Sequence, residues 1–205
     1  MSPLLKTICL ILLAVLAAII LSGAIYLWTD TDGIQHFSNI APPENGQAEQ
    51  LFEEKFILPR GHQFNIVKIF DGDTIQVKGF GLKFTIRLMG IDTPELGRKG
   101  KKRQPYSLQA KQKLTHLLQE KTISLKQYGM GKYNRVLAEI FVNETNINLE
   151  MVRSGFAQVY RGKRSKKFDA TPYFQAEKRA KLSRKGMWIQ GADYKSPWQW
   201  REMFP

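Results

Sequence analysis

The stretch from Phe70 to Glu95 concentrates residue types that can do chemistry. Its sequence is otherwise apolar and β-branched, yet it carries four carboxylates and one arginine, which are Asp71, Asp73, Asp92, Glu95 and Arg87. Charged side chains are among those least often buried without partners. Carboxylates at the ends of apolar strands therefore indicate a bound cation, a catalytic role, or both.

Asp73 and Asp92 are the candidate metal ligands, because each is expected at the end of a strand. Two hard oxygen donors on adjacent strands suit Ca²⁺, which accepts carboxylates, backbone carbonyls and water. Thr93 precedes Pro94, which disfavours helical geometry at Thr93 and leaves its carbonyl able to face a metal. The alternative is that residues 71–73 are simply a turn, since Asp and Gly favour turns.

Glu95 is the candidate general base, since a carboxylate near the cation can take a proton from a water held against phosphorus. Arg87 and Arg135 are candidate phosphate clamps, because a guanidinium stays charged and offers paired, planar donors. Arg87 lies two residues after Thr85 on a strand, so both are expected on one face. The alternative for Arg87 is a salt bridge at a barrel rim to one of the same aspartates.

The elements that must position these residues are indicated by the hydrophobic pattern. It predicts strands at residues 64–70, 74–78, 83–89, 122–128 and 136–142, and helices at residues 107–121, 149–154 and 171–186. The order is three strands, a helix, two strands and two helices. This order predicts an α+β fold, mainly β: a five-stranded oligonucleotide-binding (OB) fold barrel with three helices packed outside.

Positive charge is concentrated in one part of the chain. The 205 residues carry a net charge of +13, and residues 61–205 alone carry 28 basic and 12 acidic side chains, a net +16. A domain this basic attracts polyanions, of which nucleic acid is the usual one, although a solvated, soluble face has the same composition. Cys9 is the only cysteine, so an intrachain disulfide and a thiolate zinc site are excluded.

The N-terminal segment predicts an apolar helix and export. Residues 7–28 carry no charge and are dominated by Leu, Ile and Ala. About 20 apolar residues suffice to cross a bilayer. Residues 1–24 are therefore either a signal peptide, cut after Ala24, or an uncleaved transmembrane anchor whose apolar run extends to residue 28. Both alternatives place the rest of the chain in the periplasm, outside the cell, or anchored at the membrane.

Residues 25–43 form a second segment, in which Asp32-Gly33 between two aromatic-bearing runs predicts a short hairpin. The pattern from Tyr26 to Asn39 resembles a small module of unknown function that often comes after the signal peptide in Gram-negative envelope proteins. Residues 44–61 are polar and then acidic, which is typical of a linker.

Four motifs succeed one another within residues 62–190. They are Asp71-Gly-Asp-Thr74, Arg87-Leu-Met-Gly-Ile-Asp92-Thr93-Pro94-Glu95, Lys132-Tyr133-Asn134-Arg135 and Met151-Val-Arg-Ser-Gly155. In order and spacing they resemble the motifs of the thermonuclease family, the staphylococcal-nuclease-like domain. The resemblance implies the same barrel with three helices, and Ca²⁺-dependent cleavage of phosphodiester bonds in DNA and RNA that leaves 3′-phosphates.

The resemblance also implies a role for each matching position. The implied Ca²⁺ ligands are Asp73, Asp92 and the Thr93 carbonyl, with Asp71 contacting the metal's water, Arg87 and Arg135 stabilising the transition state, and Glu95 acting as base. This sequence departs from the family at Gly131, where an acidic residue is common, and at Asn134, where glycine is common. Because asparagine tolerates left-handed backbone geometry, Asn134 is not expected to move the arginine next to it.

Nucleic-acid contacts are predicted at two tyrosines and one loop. The resemblance implies that Tyr133 borders the phosphate end of a nucleotide, and Tyr160 is a further stacking candidate because aromatic rings stack on single-stranded bases. Packing on the barrel is the alternative for both. The basic loop contributes Lys101, Lys102 and Arg103, which attract phosphates or are simply solvated.

The sequence as a whole predicts an exported, basic, monomeric nuclease that uses Ca²⁺ and binds DNA, RNA or both. Residues 62–190 form its catalytic domain and residues 191–205 a C-terminal tail. Contact with the membrane is expected only if the N-terminal segment stays uncleaved. The alternative is a catalytically silent OB module, anchored in the envelope, that binds nucleic acid or another polyanion.

Overall fold

A computed structural model describes residues 62–97 and 100–205 in full, together with the backbone of three N-terminal strands. These strands are β1 (Ile25–Thr29), β2 (Gln35–Ser38) and β3 (Ala48–Leu51). The predicted apolar helix within residues 1–24 and most of the predicted linker at 44–61 lie outside the described residues. The division of the chain into domains stays a prediction.

Five strands form a closed barrel, as the hydrophobic pattern predicts. They are β4 (Phe64–Ile69), β5 (Thr74–Gly79), β6 (Leu82–Leu88), β8 (Thr122–Gly131) and β9 (Arg135–Val142). Neighbours pair antiparallel except β6 and β9, which run parallel and close the barrel. The short strands are β7 (Ile91–Asp92), β10 (Thr145–Asn146) and β11 (Gln158–Val159). The mainly β, α+β, OB-like barrel is confirmed.

Alternation along β6 explains how the barrel both fills its core and presents polar groups. Phe84, Ile86 and Leu88 are buried, whereas Thr85 and Arg87 between them are only half-buried. Because successive side chains of a strand point to opposite faces, Thr85 and Arg87 share the face opposite the core. The β5–β6 hairpin turns at Phe80 and Gly81, which both have positive φ, as a two-residue turn of this kind requires.

Three helices pack on the barrel, at the places where the sequence predicts them. They are α1 (Ser107–Leu118), α2 (Ile147–Arg153) and α3 (Thr171–Leu182). Helix α1 buries Ala110, Leu114 and Leu118, which recur at helical spacing. Helix α3 has Ala170 at its N-cap, one residue before the predicted cap, so that Pro172 still lies in the first turn, where its missing N–H costs no hydrogen bond.

The C-terminus differs from the predicted tail at residues 191–205. A 3₁₀ helix at Gly186–Asp193 precedes a fourth helix, α4 (Pro197–Met203). A capping box at Ser196 starts α4, and Trp200 on its inner face is buried. Buried aromatic area stabilises this packing.

The N-terminal strands extend the barrel sheet. β1 pairs antiparallel with β2 and with β3, the β1–β2 pair being the two runs on which the hairpin prediction rests. β2 in turn runs parallel to the start of β6. Residues 25–28, the end of the apolar run, belong to β1. Within the described part of the chain, no helix combines the length and apolar character that crossing a membrane requires.

Asn148 at the second position of α2 joins three parts of the fold. It is fully buried, its Oδ1 accepts from the Ile140 amide at 3.0 Å, and its Nδ2 donates to the carbonyls of Met89 and Ala138, both at 3.0 Å. Met89 lies in the turn between β6 and β7. This one amide therefore fixes the turn that leads to Asp92.

Replacing Asn148 by leucine is expected to lower the free energy of unfolding by about 3 kcal/mol, because buried backbone groups lose their partners. Urea unfolding of the full chain measures the difference. The matched control is Asn65→Leu, at an exposed position of β4. Equal stability of the Asn148→Leu and control variants would show that the three hydrogen bonds contribute nothing net.

Candidate functional site

Asp73 and Asp92 come together at one end of the barrel, as their strand-end positions predict. Both are almost fully buried, at 5% and 3% exposure. Asp73 precedes β5, and its Oδ2 accepts from the Thr93 amide and from the Thr93 hydroxyl, both at 2.9 Å. Asp92 closes the two-residue strand β7. Although 19 residues separate the two aspartates in sequence, Thr93 directly links their positions.

Arg87 bridges the two aspartates. Its Nη1 lies 2.9 Å from Asp73 Oδ2, its Nη2 lies 3.0 Å from Asp92 Oδ1, and Nη1 also donates to the Ile91 carbonyl at 3.0 Å. The rim salt bridge that is the alternative for Arg87 is therefore present, and it extends to two carboxylates. The Arg87 side chain, which is 16% exposed, compensates the charges of the two buried aspartates.

Asp71 and Asp92 are destabilised in their ionised form. Burial, and next the charge of Asp73, raise the pKa of Asp71 to about 7. Burial also raises the pKa of Asp92, although Arg87 opposes the shift. Desolvation disfavours charge, and neighbouring carboxylates add to the effect. A cation placed here would favour the ionised carboxylates and so oppose both shifts.

Arg135 faces the same end of the barrel from the start of β9. Burial, and next the charge of Arg87, lower the pKa of Arg135 from its usual range. The turn before it is unusual, because Tyr133 and Asn134 both have positive φ, at 59° and 50°. The left-handed geometry expected to be tolerated at Asn134 is therefore observed, whereas the sequence gives no sign of it at Tyr133. Two guanidinium groups held close together favour an anion between them.

Gly131, one of the two departures from the family, directly precedes the Lys132–Asn134 turn. A Cβ built on it would lie 2.8 Å from a terminal methyl group of Leu137 on β9. A side chain at this position would therefore require Leu137 to move.

Glu95 is fixed by a hydrogen bond from its backbone amide and by an ion pair of its carboxylate. Its amide donates to Gln104 Oε1 at 2.9 Å, and Gln104 Nε2 donates to the Lys195 carbonyl at 2.8 Å. Its carboxylate forms an ion pair with Arg201 of α4, which also lies 3.2 Å from Asp92 Oδ2. Burial alone would lower the pKa of Arg201. The charges of Asp92 and Glu95 outweigh burial, so the pKa of Arg201 is raised.

A cavity of about 740 Å³ is lined by several of the candidate site residues. Its lining includes Asp71, Thr85, Glu95, Lys101, Lys102, Tyr133, Arg135, Trp200, Arg201 and Phe204. Asp73, Asp92 and Thr93 lie buried beside it. Arg103 is exposed next to the two lysines. The structure thus brings together most of the predicted site residues, both carboxylates and cations, at one cavity.

The two tyrosines differ in position. Tyr133 is 82% exposed, lines the cavity and lies with its ring centroid 5.6 Å from the Arg135 guanidinium carbon. Tyr160 comes directly after β11, is 36% exposed and is not among the residues that line this cavity. Its amide donates to the Gly90 carbonyl at 2.9 Å. Tyr133 therefore presents an exposed ring at the cavity, whereas the exposed ring of Tyr160 lies outside the cavity lining.

The donor set fits a hard cation of variable coordination. Within residues 62–97 and 100–205, no group of three or more His, Cys, Asp or Glu side chains is arranged to hold a metal ion. The site instead offers two buried carboxylates, whose neighbour Asp71 has a raised pKa. Ca²⁺ completes such a set with backbone carbonyls and water. Carboxylate oxygens of this kind are among the ligands that Ca²⁺ accepts.

Sequence reasoning missed Gln104 and Arg201. Gln104 lies in the basic loop and carries no chemical signal of its own. For Arg201, the sequence from Ser196 to Gln199 has the spacing of a capping box with proline at the first helical position. That signal predicts a helix around Arg201, but not its contact with Glu95, which lies 106 residues earlier.

The fold is a closed OB-like barrel, and it presents carboxylates and guanidinium groups at one basic cavity. This combination is typical of proteins that bind nucleic-acid phosphates. Comparison with protein families agrees. The protein-family model described as "Staphylococcal nuclease homologue" matches residues 85–190, just over half of the chain. The chain therefore belongs to the staphylococcal nuclease homologue family, and the resemblance read from its motifs is confirmed.

Curated relatives extend this result. The chain is 36% identical over 138 residues to an "Uncharacterized endonuclease" of Haemophilus influenzae, which covers 66% of this chain and 71% of that protein. It is 37% identical over 109 residues to "Probable endonuclease LCL3" of Komagataella phaffii, covering 50% and 48%. It is also 34% identical over 135 residues to the protein of that name in Leptosphaeria maculans, and this match covers 59% of this chain and 45% of that protein. The chain thus spans about half the length of these fungal relatives.

The family and the names of the relatives support a phosphodiester-hydrolysing nuclease. They lend no support to the N-terminal envelope module, since the family match begins at residue 85.

Proposed function

We propose that this protein is a Ca²⁺-dependent nuclease that hydrolyses phosphodiester bonds of DNA, RNA or both and leaves 3′-phosphates. One observation carries the proposal: Glu95 and Arg135 line one cavity, and Arg87 bridges the buried pair Asp73 and Asp92 beside it. Phosphoryl transfer needs cationic donors for the oxygens around phosphorus and a base for the attacking water. All of these groups are present within one site.

Each residue of the site has its own part in the reaction. Asp73, Asp92 and the Thr93 carbonyl would hold Ca²⁺, and Asp71 would accept a hydrogen bond from its water; the bound ion supplies positive charge to a phosphate oxygen. Glu95 takes the proton of the water whose oxygen attacks phosphorus. The bond from phosphorus to the 5′ oxygen breaks and that oxygen takes up a proton from solvent water, so the products are a 3′-phosphate and a 5′-hydroxyl. Arg87 and Arg135 donate to the phosphoryl oxygens, where negative charge builds up.

Basic and aromatic residues bind the rest of the polymer. Lys101 and Lys102 on the cavity wall, with Arg103 beside them, neutralise phosphates. The exposed ring of Tyr133 offers a face for a nucleotide. Tyr160 lies outside the cavity lining, so we assign it at most to a more distant nucleotide.

The test is hydrolysis by the full chain of single- and double-stranded DNA and RNA, with Ca²⁺ or with a chelator. We expect cleavage with Ca²⁺ and at least about tenfold slower cleavage with chelator, because the ion's charge is lost. Readdition of Ca²⁺ is the control for damage by the chelator. A protein that binds the polymers and leaves them intact across pH 7–10 would instead be the non-catalytic, envelope-anchored OB module that binds nucleic acid or another polyanion.

We also propose that the protein is exported and that it is a monomer. Residues 1–24 would be the signal peptide or anchor, and residues 25–43 would be a module of envelope proteins. The apolar, uncharged run at residues 7–28 supports export. Sequencing the N-terminus of the exported protein separates the alternatives. A new terminus near residue 25 means cleavage, and Met1 means an uncleaved anchor in the membrane.

A further inference from the structure

Helix α4 lies against the candidate site although the family match ends before it, at residue 190. Two hydrogen bonds fix it to the loop just after Glu95. The indole of Trp200 donates to the Lys102 carbonyl at 3.1 Å, and Gln104 donates to the Lys195 carbonyl at 2.8 Å. Because Gln104 also accepts from the Glu95 amide, one buried side chain joins the backbone of the candidate base to the segment that enters α4.

Arg201 continues this connection into the cavity. Its Nη1 forms an ion pair with the Glu95 carboxylate, and its Nη2 lies 3.2 Å from Asp92 Oδ2. Arg87 approaches Asp92 from the other oxygen, at 3.0 Å. A single guanidinium therefore joins a candidate base to a candidate metal ligand, and its fixed fork suits two acceptors at once.

The contact has two physical consequences for Glu95. Two carboxylates close together repel, and Arg201 offsets that repulsion. In addition, a glutamate that is 37% exposed has several rotamers open to it, and an ion pair to a residue on a packed helix selects among them. The ion pair thereby fixes where the carboxylate points, and an error of about 1 Å in such a group can cost 10²-fold in rate.

We propose that Arg201 is a positioning residue of this nuclease, which holds the Glu95 carboxylate beside Asp92 and directs it toward the attacking water. The inference rests on the proposed function. It also assigns to the chain a part of the site that residues 85–190 lack. Because Arg201 places a positive charge next to Asp92, it opposes cation binding at the same time. Its removal is therefore expected to slow hydrolysis while strengthening Ca²⁺ binding, a combination that general damage to the fold does not produce.

The experiment compares Arg201→Gln and Arg201→Lys with the full-length wild type. The matched control is Arg153→Gln on α2, which likewise removes one charge and one ion pair, here with Glu150. The readouts are kcat and KM on single-stranded DNA, Ca²⁺ affinity by calorimetry without nucleic acid, and melting temperature.

For Arg201→Gln we expect kcat to fall by about 30-fold with KM changed by less than about threefold. The Ca²⁺ dissociation constant should fall by about fivefold, since one repelling charge is gone. Arg201→Lys should recover part of kcat and restore the wild-type Ca²⁺ affinity. The control should match the wild type in all three readouts.

A double-mutant cycle with Glu95→Gln tests whether Arg201 acts through Glu95. If it does, Arg201→Gln causes little further loss of kcat once Glu95 is replaced. Additive losses, an unchanged kcat, or a raised KM at constant kcat would each overturn the inference, and a raised kcat would make Arg201 a blocking residue instead. A wild type that hydrolyses nothing overturns the proposed function as well, whereas an active wild type with an unaffected Arg201→Gln overturns only the inference.

Discussion

Replacing Glu95 by glutamine is expected to lower kcat for phosphodiester hydrolysis by roughly 10³-fold, the usual size of general-base catalysis. Glutamine keeps the length of the side chain and its place on the cavity wall, but its amide cannot take a proton from water. KM for the polymer should change little, because Lys101 and Lys102, the proposed phosphate contacts, are unaltered. Steady-state hydrolysis of a short labelled DNA strand measures both constants.

The Glu95→Gln variant also loses the charge that pairs with Arg201, so its melting temperature has to be measured alongside. Glu144→Gln, at an exposed position between β9 and β10, is the control for loss of one carboxylate. If kcat of Glu95→Gln stayed within about threefold of the wild type, the base would have to be another group.

Replacing Arg135 by alanine is expected to lower kcat/KM by roughly 10³-fold, since one donor aimed at developing negative charge is worth 10² to 10³. Arg135 lines the cavity, its Nε donates to the Lys132 carbonyl at 3.1 Å, and Tyr133 lies over its guanidinium. This anchoring sets the direction of the terminal nitrogens before substrate arrives. Hydrolysis rates at limiting substrate measure the effect.

Arg135→Lys separates charge from geometry, because lysine keeps the charge without the planar pair of donors. It should recover no more than about tenfold of the loss. Arg179→Ala on α3, an exposed arginine outside the cavity lining, controls for the lost charge. Arg135→Ala with unaltered kcat/KM would remove this arginine from the mechanism. Arg87 is a poorer test, because its loss would also leave Asp73 and Asp92 without their bridging partner.

The barrel was predictable because its strands obey a simple rule. Apolar residues at every second position, as at Phe84, Ile86 and Leu88, fill a core from one face only. The same rule places Arg87 on the opposite face. Asp73 and Asp92 stand at strand ends, as the sequence predicts, but β7 pairs with β11 and not with β5, so the sequence did not show which strands bring them together.

Other parts of the site depend on contacts that no local pattern encodes. The ion pair between Glu95 and Arg201 depends on how α4 packs, which is set by Trp200, Gln104 and the path of the loop between them. Tyr160 shows the converse, since an aromatic near basic residues predicts stacking, yet its backbone is tied to Gly90 outside the cavity lining. The residue types of the site could be predicted from the sequence, whereas the contacts between side chains distant in sequence could not.

The separation of 106 residues between Glu95 and Arg201 also orders events during synthesis. A chain leaves the ribosome from its N-terminus, so β4 to β9 and their carboxylates emerge before α4 exists. Contacts this distant in sequence form only after a long segment has been ordered, since closing the intervening chain costs entropy. A nascent chain halted between Val142 and Arg201 would therefore display the barrel strands and the aspartates while Glu95 still lacked its partner from α4.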